Sequence, residues 1–353
     1  MDEIVFQCPD CRSHLIKAEK CYICENCKLK WEIRNNIPIF SKYDFYWNRI
    51  PRERMRLINM YAAKGNWRSV LNELLFPNER YLFDYATNKI RTNWINLLPL
   101  SSETKALDIG CNLGLISVEL SKSCKFVIAA DPTLETLEFV DIRRRQEKIS
   151  NLYPVCIPPL DFASLPFPDS YFDVVILNGV LEWVGSLNKK LKPMEVQKEG
   201  LKEIKRVLKP GGCLYIGIEN RFSYSYFLGS FDHSGLPFTS ILPRALSNIL
   251  TRLFKNKDYR TYTYSYYGYK SLLEDVSFSN IKFYLPIPSY RYPELILPLY
   301  NKDNIKLLRN HFRDRGNIKD KIRTYLLLVI HGLHLEKALS NSFSIIARNV
   351  LAK

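Results

Sequence analysis

Three observations predict a doubly wound α/β fold, a mostly parallel sheet with helices on both faces. Short apolar runs alternate with amphipathic stretches between Ala106 and Glu219, an order that right-handed crossovers convert into a parallel sheet. The first run ends in a glycine-bearing turn, Asp108-Ile-Gly-Cys-Asn-Leu-Gly114, and the next closes on a carboxylate, Asp131. The run Phe172–Asn178 is apolar almost throughout, as expected of a strand covered on both faces.

The elements follow in order. Residues 106–110 form the first predicted strand, and the helix after the glycine turn covers 113–122. Phe126–Asp131 is the second strand, and Leu134, Leu137 and Val140 mark the inner face of the next helix. Residues 155–157 lie in a third strand and Phe172–Asn178 is the fourth. Leu201, Ile204 and Leu208 make a helix stopped by Pro210-Gly-Gly212, and 213–219 is the fifth strand. Ligands of such sheets bind at the carboxyl ends of the strands, where Gly110, Asp131, Asp161, Asn178 and Glu219 fall. The glycines let backbone approach an adenosine-containing ligand, and the acid after the second strand accepts hydrogen bonds from ribose hydroxyls. Asp108 has two readings, as part of that turn or as a cap of the following helix.

Composition bounds the rest. A chain of 353 residues with 46% hydrophobic content can bury one large core or two. It contains no run of eighteen apolar residues, and Met1-Asp-Glu-Ile lacks the basic flank of a signal peptide. Cytoplasmic residence and no transmembrane segment are therefore expected. The net charge of +15 favours anionic partners such as nucleic acid, a membrane surface or phosphorylated substrates. Part of it sits in 302–323, with eight basic and three acidic residues, a run that also reads as a solvated helix face.

Five of the nine cysteines fall before residue 28. Cys8-Pro-Asp-Cys11 and Cys24-Glu-Asn-Cys27 are separated by twelve residues, enough for a hairpin that brings two knuckles onto one Zn2+. Cys21 offers an overlapping pair with Cys24, and the symmetric choice leaves it a spectator. A closed four-sulfur site is structural rather than catalytic, and metal would supply much of the stability of so small a module. Residues 1–42, the expected zinc ribbon, carry seven basic and six acidic side chains, so the ribbon suits docking better than clamping nucleic acid. Residues 43–100 read as a helical linker punctuated by Pro51 and Pro77. Within it, Leu82, Tyr85, Trp94 and Leu97 predict one helix over 78–98, packed beside the next domain.

Four ordered motifs carry a resemblance. The glycine turn, Asp161-Phe-Ala-Ser-Leu-Pro-Phe-Pro-Asp-Ser-Tyr-Phe-Asp173, Val180-Leu-Glu-Trp-Val184 and Glu203-Ile-Lys-Arg-Val-Leu-Lys-Pro-Gly-Gly212 resemble class I S-adenosylmethionine-dependent methyltransferases of the type 11 group. The segment 24–40 likewise resembles small zinc ribbons attached to, or partnered with, some methyltransferases. The resemblance implies a seven-stranded Rossmann-like sheet whose last strand is antiparallel, occupying 101–353, with a substrate cap inserted near 220–265 and 286–340. It implies that Asp108, Gly110, Cys111, Asn112 and Gly114 hug the methionine part of the cofactor. Asp131 and Pro132 would meet the ribose, Asp161 and Phe162 the adenine, and Asn178 the sulfonium. Two departures stand out: Asn112 replaces a usual glycine, and Trp183 stands where many relatives carry histidine. A sixth strand over 281–285 and a seventh over 342–348 complete the implied sheet.

The cap mixes aromatics with cationic and hydrogen-bonding groups, as in Tyr259-Arg-Thr-Tyr-Thr-Tyr-Ser-Tyr-Tyr-Gly268 and Pro288-Ser-Tyr-Arg-Tyr292. Such surfaces suit a sugar, a nucleotide sugar or a lipid-linked phosphate, and equally the bases of RNA. His233 is the candidate base for methyl transfer and Glu219 the second choice, although a lone histidine is often structural. The leading expectation is a methyltransferase acting on an oxygen or nitrogen of a small molecule or glycan precursor. An RNA methyltransferase and a non-catalytic scaffold are the alternatives. The run from Arg323 to Ile330 reads either as a buried lid helix or as a peripheral membrane contact.

Overall fold

A computed structural model of the chain describes residues 4–75, 79–161, 164–299, 301–313 and 318–350. Its N-terminal part is a small antiparallel sheet of β1 (Leu15–Lys17), β2 (Cys21–Cys24), β3 (Lys30–Arg34) and β4 (Ile37–Pro38). In each cysteine knuckle the residue after the second cysteine, Arg12 or Lys28, adopts φ +59°. Its N–H donates to the carbonyl of the first pair member, Cys8 or Cys24. The two turns therefore curl alike and point their thiols at one centre. Phe6, Tyr22, Trp31 and Phe40 form an aromatic cluster that reaches Phe167 of the main domain. Ile39 bridges Cys156 in parallel, so the ribbon covers an edge that would otherwise expose unpaired backbone groups.

The main sheet is built from β5 (Lys105–Ile109), β6 (Phe126–Asp131), β7 (Leu152–Cys156), β8 (Phe172–Asn178), β9 (Leu208–Glu219), β10 (Phe278–Ile287), β11 (Leu295–Pro298) and β12 (Ser342–Asn349). Across the sheet they run β11-β10-β12-β9-β8-β5-β6-β7. The five strands from β7 to β9 are parallel, and β12 inserts antiparallel between β9 and β10. The order reverses between β5 and β8, and this is the switch point where ligands of open α/β sheets bind.

Three expectations need amending. The sheet has eight strands rather than seven, because β11, within the second insertion, pairs with β10. The helix Pro193–Val207 stops before Leu208, whose ψ of 133° is already extended, and Pro210-Gly-Gly212 lies inside β9 at an irregularity of its pairing with β8. The single helix expected over 78–98 is instead an α-helix, Arg80–Thr87, and a 3-10 run, Lys89–Leu97. Asn88 breaks them: its backbone is extended and its side chain accepts the Ile90 N–H, satisfying a donor that a new helical start leaves orphaned.

The linker packs as the stripe predicts. Trp94 is fully buried and stacks on Tyr215 of β9 with ring centroids 3.7 Å apart. The helices Arg52–Ala62 and Trp67–Leu75 lie against Leu134–Gln146, where the buried Arg143 sits over the Trp67 ring and donates to the carbonyls of Ala86 and Leu113. Among the described residues no helix is long and apolar enough to cross a membrane.

Candidate active site

Two groups of residues meet along the carboxyl edge of the parallel strands. The first is the glycine turn after β5. Gly110 and Gly114 hold φ of +73° and +77°, and a Cβ on Gly110 would lie 2.5 Å from a Val180 methyl, one on Gly114 2.8 Å from a Val140 methyl. Asn112 also sits in the left-handed region at φ +49°, where asparagine is among the better-tolerated residues. Its N–H donates to Asp131 Oδ2 at 3.0 Å, and its side-chain oxygen accepts the Leu113 N–H. Asp131 Oδ1 takes the Thr133 N–H at 2.9 Å. Oδ1 also accepts from Thr136 Oγ1 at 3.4 Å, so Oδ2 is the oxygen that keeps a lone pair for a further donor. Burial pushes the Asp131 carboxyl up to about 6, against the pull of those backbone donors. Asp108, fully buried, accepts from Ser117 Oγ at 2.5 Å and is pushed up to about 7 by burial. It therefore ties the turn to the helix Leu115–Ser121.

Facing the turn are Tyr85 of the predicted core stripe, Arg91 outside it, and Asn178. Arg91 is buried with its guanidinium 3.3 Å from the Tyr85 ring centroid and 5.7 Å from that of Tyr292. Its Nε and Nη1 have no hydrogen-bond partner, nor does Asn178 Oδ1 at the end of β8. Arg91, Tyr85, Gly110, Cys111 and Asn178 line a cavity of about 10 Å³, room for roughly one water. A larger ligand enters only if the Tyr85–Arg91 stack moves. These orphaned groups fit a zwitterionic amino-acid moiety: a cation for its carboxylate and an amide oxygen for its ammonium.

The remaining predicted cofactor residues are arranged differently. Asp161 is buried with Oδ2 accepting the N–H groups of Leu187 and Asn188, so it orders the loop after Trp183. Pro132 is half-buried and its carbonyl accepts from the Cys156 thiol. Phe162 lies outside the described residues.

The second group unites the two candidates for proton transfer. His233 Nε2, delivered by the first insertion, lies 3.4 Å from Glu219 Oε2 and 3.8 Å from Glu182 Oε1. Arg291, from the second insertion, donates to Glu219 Oε1 at 2.7 Å and Tyr290 donates to the same oxygen at 3.2 Å. Burial alone would raise the Glu219 carboxyl, but His233 and Arg291 outweigh it and hold Glu219 at about 2. At Glu182, burial and the nearby Glu219 charge outweigh the pull of His233 and Arg291 and push it up to about 8. Burial disfavours the His233 imidazolium, yet Glu219 prevails and raises its pKa. Trp183, the departure from the family pattern, packs edge-on against His233 and against Trp47 of the linker, at 4.8 and 5.0 Å. An imidazole from the cap thus stands against the very side chain that replaces the family's histidine.

These residues border a cavity of about 460 Å³ whose other walls include Arg49, Tyr226, Phe231, Lys255 and Lys257. Glu182, Arg49, Arg91 and Arg291 were missed as site residues. Glu182 and Arg291 lay inside quoted motifs, but nothing in the sequence joined them. The trio Glu182, Glu219 and His233 has the spacing of a cation site, but Arg291 already supplies the positive charge.

In the N-terminal ribbon the thiols of Cys8, Cys11, Cys24 and Cys27 converge, with Sγ separations of 3.4 to 3.7 Å among three pairs. A tetrahedral ion with Zn–S bonds of about 2.3 Å has edges of about 3.8 Å, so the four sulfurs fit it. Cys21 stands outside the group, half-buried at the start of β2.

Part of the chain is similar to known proteins. Residues 107–216 match the methyltransferase domain family. The rat mitochondrial ubiquinone biosynthesis O-methyltransferase is 31% identical over 40% of this chain and 38% of its own length. A tRNA (guanine-N(7)-)-methyltransferase of Lactobacillus johnsonii is 27% identical over 42% of this chain and 67% of its own length. The chain thus spans well under half the length of the rat relative. Among solved structures, the YcgJ protein of Bacillus overlays on 75% of this chain and all of its own, at 16% identity and a TM-score of 0.43. With the glycine turn and the strand order in place, residues 107–216 are a methyltransferase domain of this family.

Proposed function

We propose that the chain transfers a methyl group from S-adenosylmethionine to an oxygen or nitrogen of a small anionic molecule, of the glycan-precursor or nucleotide-sugar class. The observation that carries this reading is the cluster of His233, Glu219, Glu182 and Arg291 over the strand ends, opening into a cavity bordered by Arg49, Lys255 and Lys257. When bound, the cofactor supplies an electrophilic methyl on a sulfonium. Asp131 accepts a ribose hydroxyl through the free lone pair of Oδ2, Arg91 takes the carboxylate, and Asn178 faces the methionine end. Asp161 frames the adenine side through the loop 186–188. Methyl transfer depends chiefly on alignment, and the cap supplies it by enclosing the acceptor. His233 takes the proton from the acceptor. Glu219, ionised through the whole working range, is a positioning residue that holds the imidazole rather than a base.

Calorimetric titration of the full chain with S-adenosylmethionine tests this reading. Heat of binding is expected, and Asp131→Ala should abolish it. No heat, or undiminished heat in the variant, overturns the proposal. A tRNA acceptor is the second reading, favoured by the +15 charge and the tRNA-modifying relative. Binding of tRNA that weakens steeply with salt would support it.

The four-cysteine group is proposed to hold a structural Zn2+ that stiffens the ribbon against β7. Native mass spectrometry should find a single zinc per chain, lost in Cys24→Ser. A metal-free wild-type chain would remove the assignment.

A further inference from the structure

The helix Arg244–Lys255 is turned inside out. A surface helix normally buries its apolar stripe and shows its polar face to water. Here the buried residues are Ser247 and Thr251. Their hydroxyls donate to the carbonyls of Thr239 and Ser247, and Asn248 accepts the Tyr259 N–H. Leu246, Ile249, Leu253 and Phe254 face solvent instead, the last two 73% and 68% exposed. Positions 246, 249 and 253 follow i, i+3, i+7 and so form one stripe along the helix. Leu228 and Phe231, in the loop before it, are 69% and 71% exposed. That loop folds on itself through the Phe231–Pro237 bridge and is tied to the helix where Ser247 Oγ donates to the Thr239 carbonyl and Gly235 lies beside the Lys255 side chain. The inward hydrogen bonds fix the roll of the helix, so the apolar face stays outward.

Charge names the partner. Residues 221–265 hold six basic and two acidic side chains, and Lys255 and Lys257 are exposed at the end of the stripe, beside Arg252, which pairs with Asp258 at 2.7 Å. An exposed apolar stripe flanked by cations is the signature of a helix lying in the interface of an anionic bilayer. Two copies pairing through this face would oppose like charges. The cavity described above shares Phe231, Lys255 and Lys257 with the same surface.

We propose that the cap 221–265 is an interfacial membrane anchor, seating Leu246, Ile249, Leu253 and Phe254 in an anionic bilayer and turning the acceptor cavity towards the headgroups. The anchor stands without the methyl-transfer reading, and only the acceptor it would present rests on that reading. An amphiphilic acceptor with an anionic head would reach the cavity from the bilayer.

The test is co-sedimentation of the full chain with vesicles of phosphatidylcholine alone and of phosphatidylcholine mixed with phosphatidylglycerol. Binding is expected to the mixed vesicles, weakening as salt rises. The double variants L253N/F254N and L246N/I249N should each lower partition by about ten-fold or more, with unchanged melting temperature because the altered side chains touch water. Asp131→Ala should bind vesicles like the wild type, which separates this proposal from the cofactor reading. Absence of binding to both vesicles, or equal binding by the variants, overturns it. So does a dimer in sedimentation velocity that L253N/F254N dissociates, since a second copy would then cover the face.

Discussion

The glycine turn and the acceptor cluster lie on one sheet edge but are held by opposite means. In the turn, Asp131 is met by the backbone N–H groups of Asn112 and Thr133, and the glycines leave no space for a side chain. In the cluster, Glu182, Glu219, His233 and Arg291 come from four distant segments and meet charge to charge. The first is a shape made of main chain, intolerant of a single added methyl. The second is a charge balance, tolerant of small changes in shape but not of a lost charge.

The sharpest way to break this contrast is Gly110→Ala. At φ +73° with Val180 2.5 Å from the new Cβ, the variant should lose about 2–4 kcal/mol of stability. Its calorimetric response to S-adenosylmethionine should vanish with it. An alanine that binds normally would show that the turn is not limited by main-chain shape. Arg91→Met comes next. It removes the buried guanidinium with unused N–H groups, and cofactor affinity should fall by about 1.5–3 kcal/mol, the worth of a charged hydrogen bond. Unchanged affinity would place the carboxylate elsewhere.

Glu219→Gln keeps the shape and deletes the charge. Because Glu219 raises the His233 pKa in the fold, the His233–Glu219 interaction stabilises fully below the unfolded histidine value and fades as pH rises through the folded one. The variant should therefore lose about 1–3 kcal/mol under mildly acidic conditions and less in alkaline buffer. NMR titration should find the His233 pKa lower than in the wild type while cofactor affinity holds. A pKa that stays put would dissolve the pair. Asn112→Gly should be the mildest change, since glycine relieves the φ of +49° but forfeits the side-chain bond to Leu113. Stability within about 0.5 kcal/mol of the wild type is expected by thermal melting.

The docking of the ribbon and the inverted cap helix give a second contrast. The ribbon buries Phe6, Trp31 and Phe40 against the sheet, whereas the cap shows Phe231, Leu253 and Phe254 to solvent. Composition treats both as aromatic-rich segments with cations nearby. Only the partners of Ser247 and Thr251, which turn the helix, distinguish them.

Local sequence determined the parallel strands, the glycine turn with Asp131, and the convergence of Cys8, Cys11, Cys24 and Cys27. Each depends on apolar periodicity or on short spacings that act within one or two elements. It also supplied His233 and Glu219 as candidates, but not their meeting. Tertiary structure alone decided that Arg291 and Glu182 complete that pair and that Arg91, outside the predicted stripe, faces the glycine turn. It also added β11 to the sheet and turned Leu253 outward. These depend on which distant chain segments share a low-dielectric space, where one unpaired charge or amide outweighs local preference, and linear order carries no record of that company.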